Sequence, residues 1–179
     1  MNAHPMTASE RDELISLLQQ SQRRYLAAVE GISDESAQMR LHEDSWSILQ
    51  IAEHAAVAEH GMFRSIELGH DSSRAPEAQQ DRTIRVAMCD RSLKRRAPER
   101  AEPKGRWKTM AEAIDAFRKS RARTLEMVRT FPDLRSRCTQ HPLFGELDAY
   151  QVATVMALHA QRHALQIEEI RQKRPSKAS

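Results

Sequence analysis

The stretch DAYQVATVMALHAQRHALQIEEI, residues 148–170, decides the fold. Val152, Met156, His159, His163, Ile167 and Ile170 recur in it at three- and four-residue steps, which lines them along one stripe of a helix. Asp148, with Gln151 three residues on, reads as the helix start, and Pro175 stops it. His159 and His163 lie one turn apart on the stripe that the apolar residues mark as inward.

Three other stretches have the same grammar. Thr7 and Glu10 form a capping box, followed by Leu14, Leu17, Leu18, Tyr25 and Val29 and a stop at Gly31. Ser47 and Gln50 form another, with Trp46 and Ile51 placed as a hydrophobic staple. Its stripe is Ile51, His54, Ala58, Met62 and Ile66, and it ends at Gly69. Thr109 and Glu112 open the third, which runs through Ile114, Phe117, Leu125 and Val128 to Phe131-Pro132. The spacing therefore predicts helices over about 8–30, 47–68, 110–131 and 149–173, and an all-α four-helix bundle in one domain spanning 1–179.

Residues 32–46 and 132–147 read as medium loops, but 70–108 is far longer than a usual bundle connection. Such a crossover lets the second and third long helices lie parallel. The stretch 81–94 reads as a short helix or a strand, with nothing to choose between them, and 1–6 and 173–179 read as loose ends.

Composition agrees with the helical reading. Five glycines, seven prolines and few β-branched or aromatic runs argue against a sheet, and aromatics at 4% leave the core to aliphatic side chains and eight methionines. A net charge of +3 demands neither nucleic acid nor an anionic membrane as partner. No apolar leader and no run of ~18 apolar residues is present, which argues against secretion and membrane spanning. Cys89 and Cys138 lack metal-like or redox-like spacing and read as reduced packing thiols of a cytoplasmic protein.

His54 shares the inward stripe of the second helix, as His159 and His163 share that of the last. Imidazole in an apolar interior is costly unless its nitrogens are paired. On pattern alone the trio reads either as three separately satisfied core histidines or as one metal site with an open position, suited to Zn, Ni, Fe or Mn. Gln50 and Gln166 lie one turn from His54 and His163 and are candidates to steer the rings. No carboxylate falls on the inward stripe beside the histidines; Glu53 and Glu168 point elsewhere on ideal helices, and the Glu-x-x-His motifs of di-iron bundles are missing.

The remaining features read more plainly. His60 is about 120° round the helix from His54 and should not join it. His42 and His70 read as surface residues, His141 as a loop residue bordering the metal cavity or merely structural, and Tyr150 as a residue at a pocket mouth. Between Arg91 and Lys108 stand eight Lys or Arg against two Glu, a local +6 that reads as a solvated crossover loop or as a rim for an anion or nucleic acid. With no stacking aromatic there but Trp107, which reads as a loop anchor, nucleic acid is the weaker reading.

The stretches Asp44-Ser45-Trp46-Ser47-Ile48 with Ile51-Ala52-Glu53-His54, His141-Pro142-Leu143-Phe144-Gly145-Glu146-Leu147, and His159 to Ile167 resemble the DinB-like (DinB/YfiT) superfamily of metal-binding four-helix bundles. The resemblance covers most of the chain. It implies an up-down-down-up arrangement, frequent homodimers, and one divalent metal held by His54, His159 and His163. Relatives include transferases using mycothiol, bacillithiol or glutathione, a maleylpyruvate isomerase, and proteins described as metal-dependent hydrolases. The expectation is a metal-dependent enzyme acting on a small molecule, a low-molecular-weight-thiol S-transferase first and a hydrolase second. A non-catalytic metal-binding or stress-response module is the alternative. No residue is singled out as catalytic, since fold does not settle chemistry.

Overall fold

The computed structural model describes residues 5–72, 78–92 and 96–173. Five helices carry most of it: α1 (Ala8–Val29), α2 (Ile48–Glu67), α3 (Ala78–Cys89), α4 (Met110–Thr130) and α5 (Ala149–Gln172). Each of the four long ones begins with the reciprocal cap its sequence announces. Thr7, Ser47, Thr109 and Asp148 each accept the N–H of the residue three further on. The side chains of Glu10, Gln50, Glu112 and Gln151 return the bond to the cap's own N–H. Two orphan donors are satisfied at each of these four helix starts by residues only three apart.

The apolar stripes meet in two clusters. One joins Leu14 and Leu18 of α1, Ile66 of α2, Leu125 and Val128 of α4, and Val152 and Met156 of α5. The other joins Tyr25 and Val29, Ile48 and Ile51, Met110 and Phe117, and Ala164 and Ile167 from the opposite ends of the same helices. Arg121 of α4 is fully buried and reaches all four long helices. Its guanidinium donates to both carboxylate oxygens of Glu59 on α2, at 2.5 and 2.9 Å. It also donates to the Leu18 carbonyl and Ser21 hydroxyl of α1, at 2.7 and 2.8 Å, and to the Met156 carbonyl of α5, at 3.2 Å. The sequence reading missed this pair, because a charge inside a stripe looks like an interruption until its partner is known.

The four long helices stand where expected with a shorter one added, but the expected lack of a sheet needs correction. The stretch left undecided over 81–94 is helical up to Cys89, as α3, with 93 and 94 outside the described residues. α3 buries Ile84 and Met88 in the first cluster, each contributing about 1.5–3 kcal/mol. Residues 132–147 are not a plain loop. They hold a 3₁₀ turn (Leu134–Ser136) and strands β2 (Arg137–His141) and most of β3 (Gly145–Asp148), with β1 (His70–Asp71) added in the antiparallel order β1-β2-β3. Strands of two to five residues in which Cys138 and Leu147 are the only apolar side chains give no apolar alternation to read. Gly69 permits the junction, since a Cβ there would lie 2.4 Å from the Cys138 carbonyl oxygen.

Arg135 fastens α3 and the sheet to the bundle. It bonds Glu10 at 2.7 Å, Asp81 at 2.9 Å and Asp148 at 3.0 Å, and lies 3.9 Å over the Tyr150 ring. Tyr150 is thus buried under a cation and does not stand at a pocket mouth. Cys138 is buried as expected, but Cys89 is exposed, because it falls on the outer face of α3.

Candidate metal centre

α2 and α5 bring the three sequence-predicted histidines together. The Nε2 of His159 lies 3.1 Å from Nε2 of His54 and 3.1 Å from Nε2 of His163. Each histidine therefore offers one ligand atom to a common point, and the three can hold a metal ion. Two nitrogens about 2.05 Å from a tetrahedral zinc stand about 3.3 Å apart, so the spacing fits such an ion. His54 and His163 are buried and His159 is half-buried, the most exposed of the three.

The outer nitrogens fix which way the lone pairs face. His54 donates its Nδ1–H to the Ala101 carbonyl at 2.8 Å, and His163 donates its Nδ1–H to the Gln166 side-chain oxygen at 2.9 Å. Both neutral rings then present a bare Nε2 inward. An Nε2–H on His159 points to only one of them at a time, whereas a central cation engages all three. This donor set fits a divalent ion of borderline softness.

Electrostatics favour the neutral form that a ligand needs. Burial pulls His54 below the usual imidazole range, and the bond to Ala101 offsets part of that. His159 is held well below it by burial and by the charges of His163, His54, Arg162 and His141. Burial and His54 lower His163 to about 3, against a smaller opposing effect of Gln166.

Other predicted neighbours sort cleanly. Gln166 steers His163 as expected, but the Gln50 side chain accepts the Ser47 N–H and belongs to the helix cap. His42, His60 and His70 are exposed and stand apart from the cluster. His141 accepts the Leu143 N–H at 3.2 Å and stacks on Phe144, with its charge felt at His159. Trp46, expected as a staple, also lays its ring 4.9 Å from that of His54 and walls one side of the cluster.

Glu53 points away from the histidine stripe as its spacing predicts, yet it is buried and fully partnered, which no local signal announces. Its carboxylate is 1% exposed and accepts the backbone N–H groups of Lys104, Gly105 and Arg106, at 2.7, 2.9 and 3.2 Å, and the Arg106 guanidinium at 2.8 Å. Burial pushes this carboxyl up, but the bonds from Lys104, Arg106 and Gly105 outweigh it and bring the group below the usual carboxylate range. The basic stretch is therefore no merely solvated loop over 99–106. Arg91 pairs with Glu169, Arg96 with Glu102, Lys104 with Glu99 and Arg106 with Glu53, so the stretch is tied to itself and, through Arg91 and Arg106, to α5 and α2. Trp107 packs half-buried on the second cluster, as a loop anchor should.

The family model of the DinB superfamily matches residues 17–167, and the chain belongs to that superfamily. It is similar to the uncharacterized protein YuaE of Bacillus subtilis, at 26% identity over 149 residues covering 81% of this chain and 89% of the relative. Among solved structures it resembles YfiT from Bacillus subtilis, described as a probable metal-dependent hydrolase with an unusual four-helix bundle topology. That match has a TM-score of 0.63 at 14% identity, covering 97% of this chain and 92% of the other. It also resembles TT2238, a four-helix bundle protein, with a TM-score of 0.57 at 21% identity, covering 89% of this chain and 98% of the other. Among the described residues no helix is long and apolar enough to cross a membrane.

Proposed function

We propose that the chain binds one divalent metal ion through His54, His159 and His163 and acts enzymatically on a small molecule, with thiol S-transfer as its reaction class. The observation that carries this is the meeting of three Nε2 atoms whose two flanking rings are turned by bonds at Nδ1. The same reading takes the chain as one domain running up-down-down-up. It rests on the starts of α1 and α5 sharing a core cluster with the ends of α2 and α4.

A divalent ion at the cluster supplies Lewis acidity, lowering the pKa of a thiol or water that enters its open position. The chain's part is to hold the rings neutral and oriented, and to admit the substrate on the His159 side beside Trp46. The two fully buried carboxylates of α2 are committed elsewhere, Glu53 to the 104–106 backbone and Glu59 to Arg121. A thiol, ionised by the ion without a separate base, suits that arrangement. Hydrolysis is the second reading, favoured by the likeness to YfiT.

Metal analysis of chelator-free protein, followed by a panel of thiol cosubstrates and hydrolysable esters and amides, tests the proposal. Stoichiometric metal lost in His54→Ala, with thiol-dependent turnover, is expected. Turnover without thiol favours the hydrolase, and no bound ion overturns both. Sedimentation of the same sample checks the homodimer that the resemblance implies.

A further inference from the structure

We propose that Glu53 is a positioning residue for the histidine cluster: it anchors the 101–106 segment so that the Ala101 carbonyl holds His54 with Nε2 facing His159 and His163. The inference rests on the metal-centre reading above and assigns a task to a residue outside the ligand set.

Glu53 and His54 are consecutive on α2, and their partners lie in one short segment. Glu53 takes the N–H groups of 104–106, and His54 gives its Nδ1–H to Ala101. The two side chains and the segment between their partners close a small ring, so releasing one contact frees the other. The segment is itself compact. A 3₁₀ turn at Glu99–Ala101 places the Ala101 carbonyl, and Arg106 reaches both Glu53 and the Glu102 carbonyl. Gly105 has φ +71, a left-handed conformation that glycine adopts without strain and that aims successive N–H groups at one anion.

The number of donors also argues for more than charge neutralisation. A buried carboxylate needs a partner, and the Arg106 guanidinium alone supplies one. Three backbone N–H groups beyond it fix where the loop sits, which a flexible side-chain pair does not. A ring of His54 without its Ala101 acceptor is free to turn about its Cβ–Cγ bond, which takes the Nε2 lone pair off the common point, and to exchange tautomers. Partners of ligand nitrogens set metal affinity in this way.

The test is titration of metal-stripped full-length protein with Zn(II) and with Co(II), comparing wild type, Glu53→Gln, Gly105→Ala and their combination. Glu53→Gln should weaken zinc binding about 10–100-fold and alter the visible spectrum of bound Co(II), with helical circular dichroism retained. Gly105→Ala should do the same, and the double variant should bind no more weakly than Glu53→Gln. Thr7→Ala, which removes the cap of α1 and touches neither the 101–106 segment nor the histidines, should lower the melting temperature without moving zinc affinity or the cobalt spectrum. If Glu53→Gln does not fold, Gly105→Ala decides. Wild-type zinc affinity and an unchanged cobalt spectrum in Glu53→Gln and Gly105→Ala overturn this proposal alone. Failure of the unaltered chain to bind zinc or cobalt overturns the metal-centre reading, and this one with it.

Discussion

The Arg121 and histidine clusters inside this bundle are built on opposite plans. Around Arg121, donors and acceptors are matched: the guanidinium meets a carboxylate, two carbonyls and a hydroxyl. Around His159 the bonds lie on the outside, at Ala101 and Gln166, and the nitrogens turned inward are alike. A closed network of the first kind joins helices. A convergence of the second kind is arranged for something that accepts lone pairs. Burial alone would not separate them, but the direction of the hydrogen bonds does.

The sharpest way to break the comparison is at Arg121. Arg121→Ala strands the Glu59 carboxylate in the core and should cost about 3–5 kcal/mol in urea unfolding, while any folded fraction still binds zinc. Next comes the ligand set. Zinc at about a hundred times its Kd should stabilise wild type by about 2.7 kcal/mol, and His163→Ala by nothing, as melting with and without zinc would report.

Acid should act on the histidine side in a fixed direction. In metal-free protein His163 titrates near 3 in the fold and near its ordinary 6.5 when unfolded, so the unfolded chain takes up the proton first. That contribution to stability is complete above about 6.5 and is lost as the pH falls toward 3, which unfolding monitored across that window would follow. His163→Gln should lessen the dependence, the rest being carried by His159 and His54. The smallest effect is expected at the cap of α1: Thr7→Ala should cost about 1 kcal/mol in thermal unfolding.

What could be read from the chain, and what could not, divides along a physical line. The helix starts were legible because a capping box is complete within four residues, and the stripes because period 3.6 is local. His54, His159 and His163 were legible for the same reason, each carried on a stripe. The sheet was not, since β1 and β2 pair across the whole of α3 and α4 and neither alternates. Nor was the work of Glu53 and Glu59. Their partners stand about fifty to sixty residues away, at Lys104 and Arg121, and no spacing in the sequence announces such a meeting. The expectation that Gln50 would steer His54 failed because the nearer bond, to its own helix cap, won.

The capping boxes have a consequence for the histidines themselves. Ser47 stands seven residues before His54, and Asp148 stands eleven and fifteen before His159 and His163. The rotational phase of every ring is thus counted from a start signal that its own helix carries. Connections between helices can lengthen or shorten without turning a ligand away from its neighbours, provided the residue that opens each helix is kept.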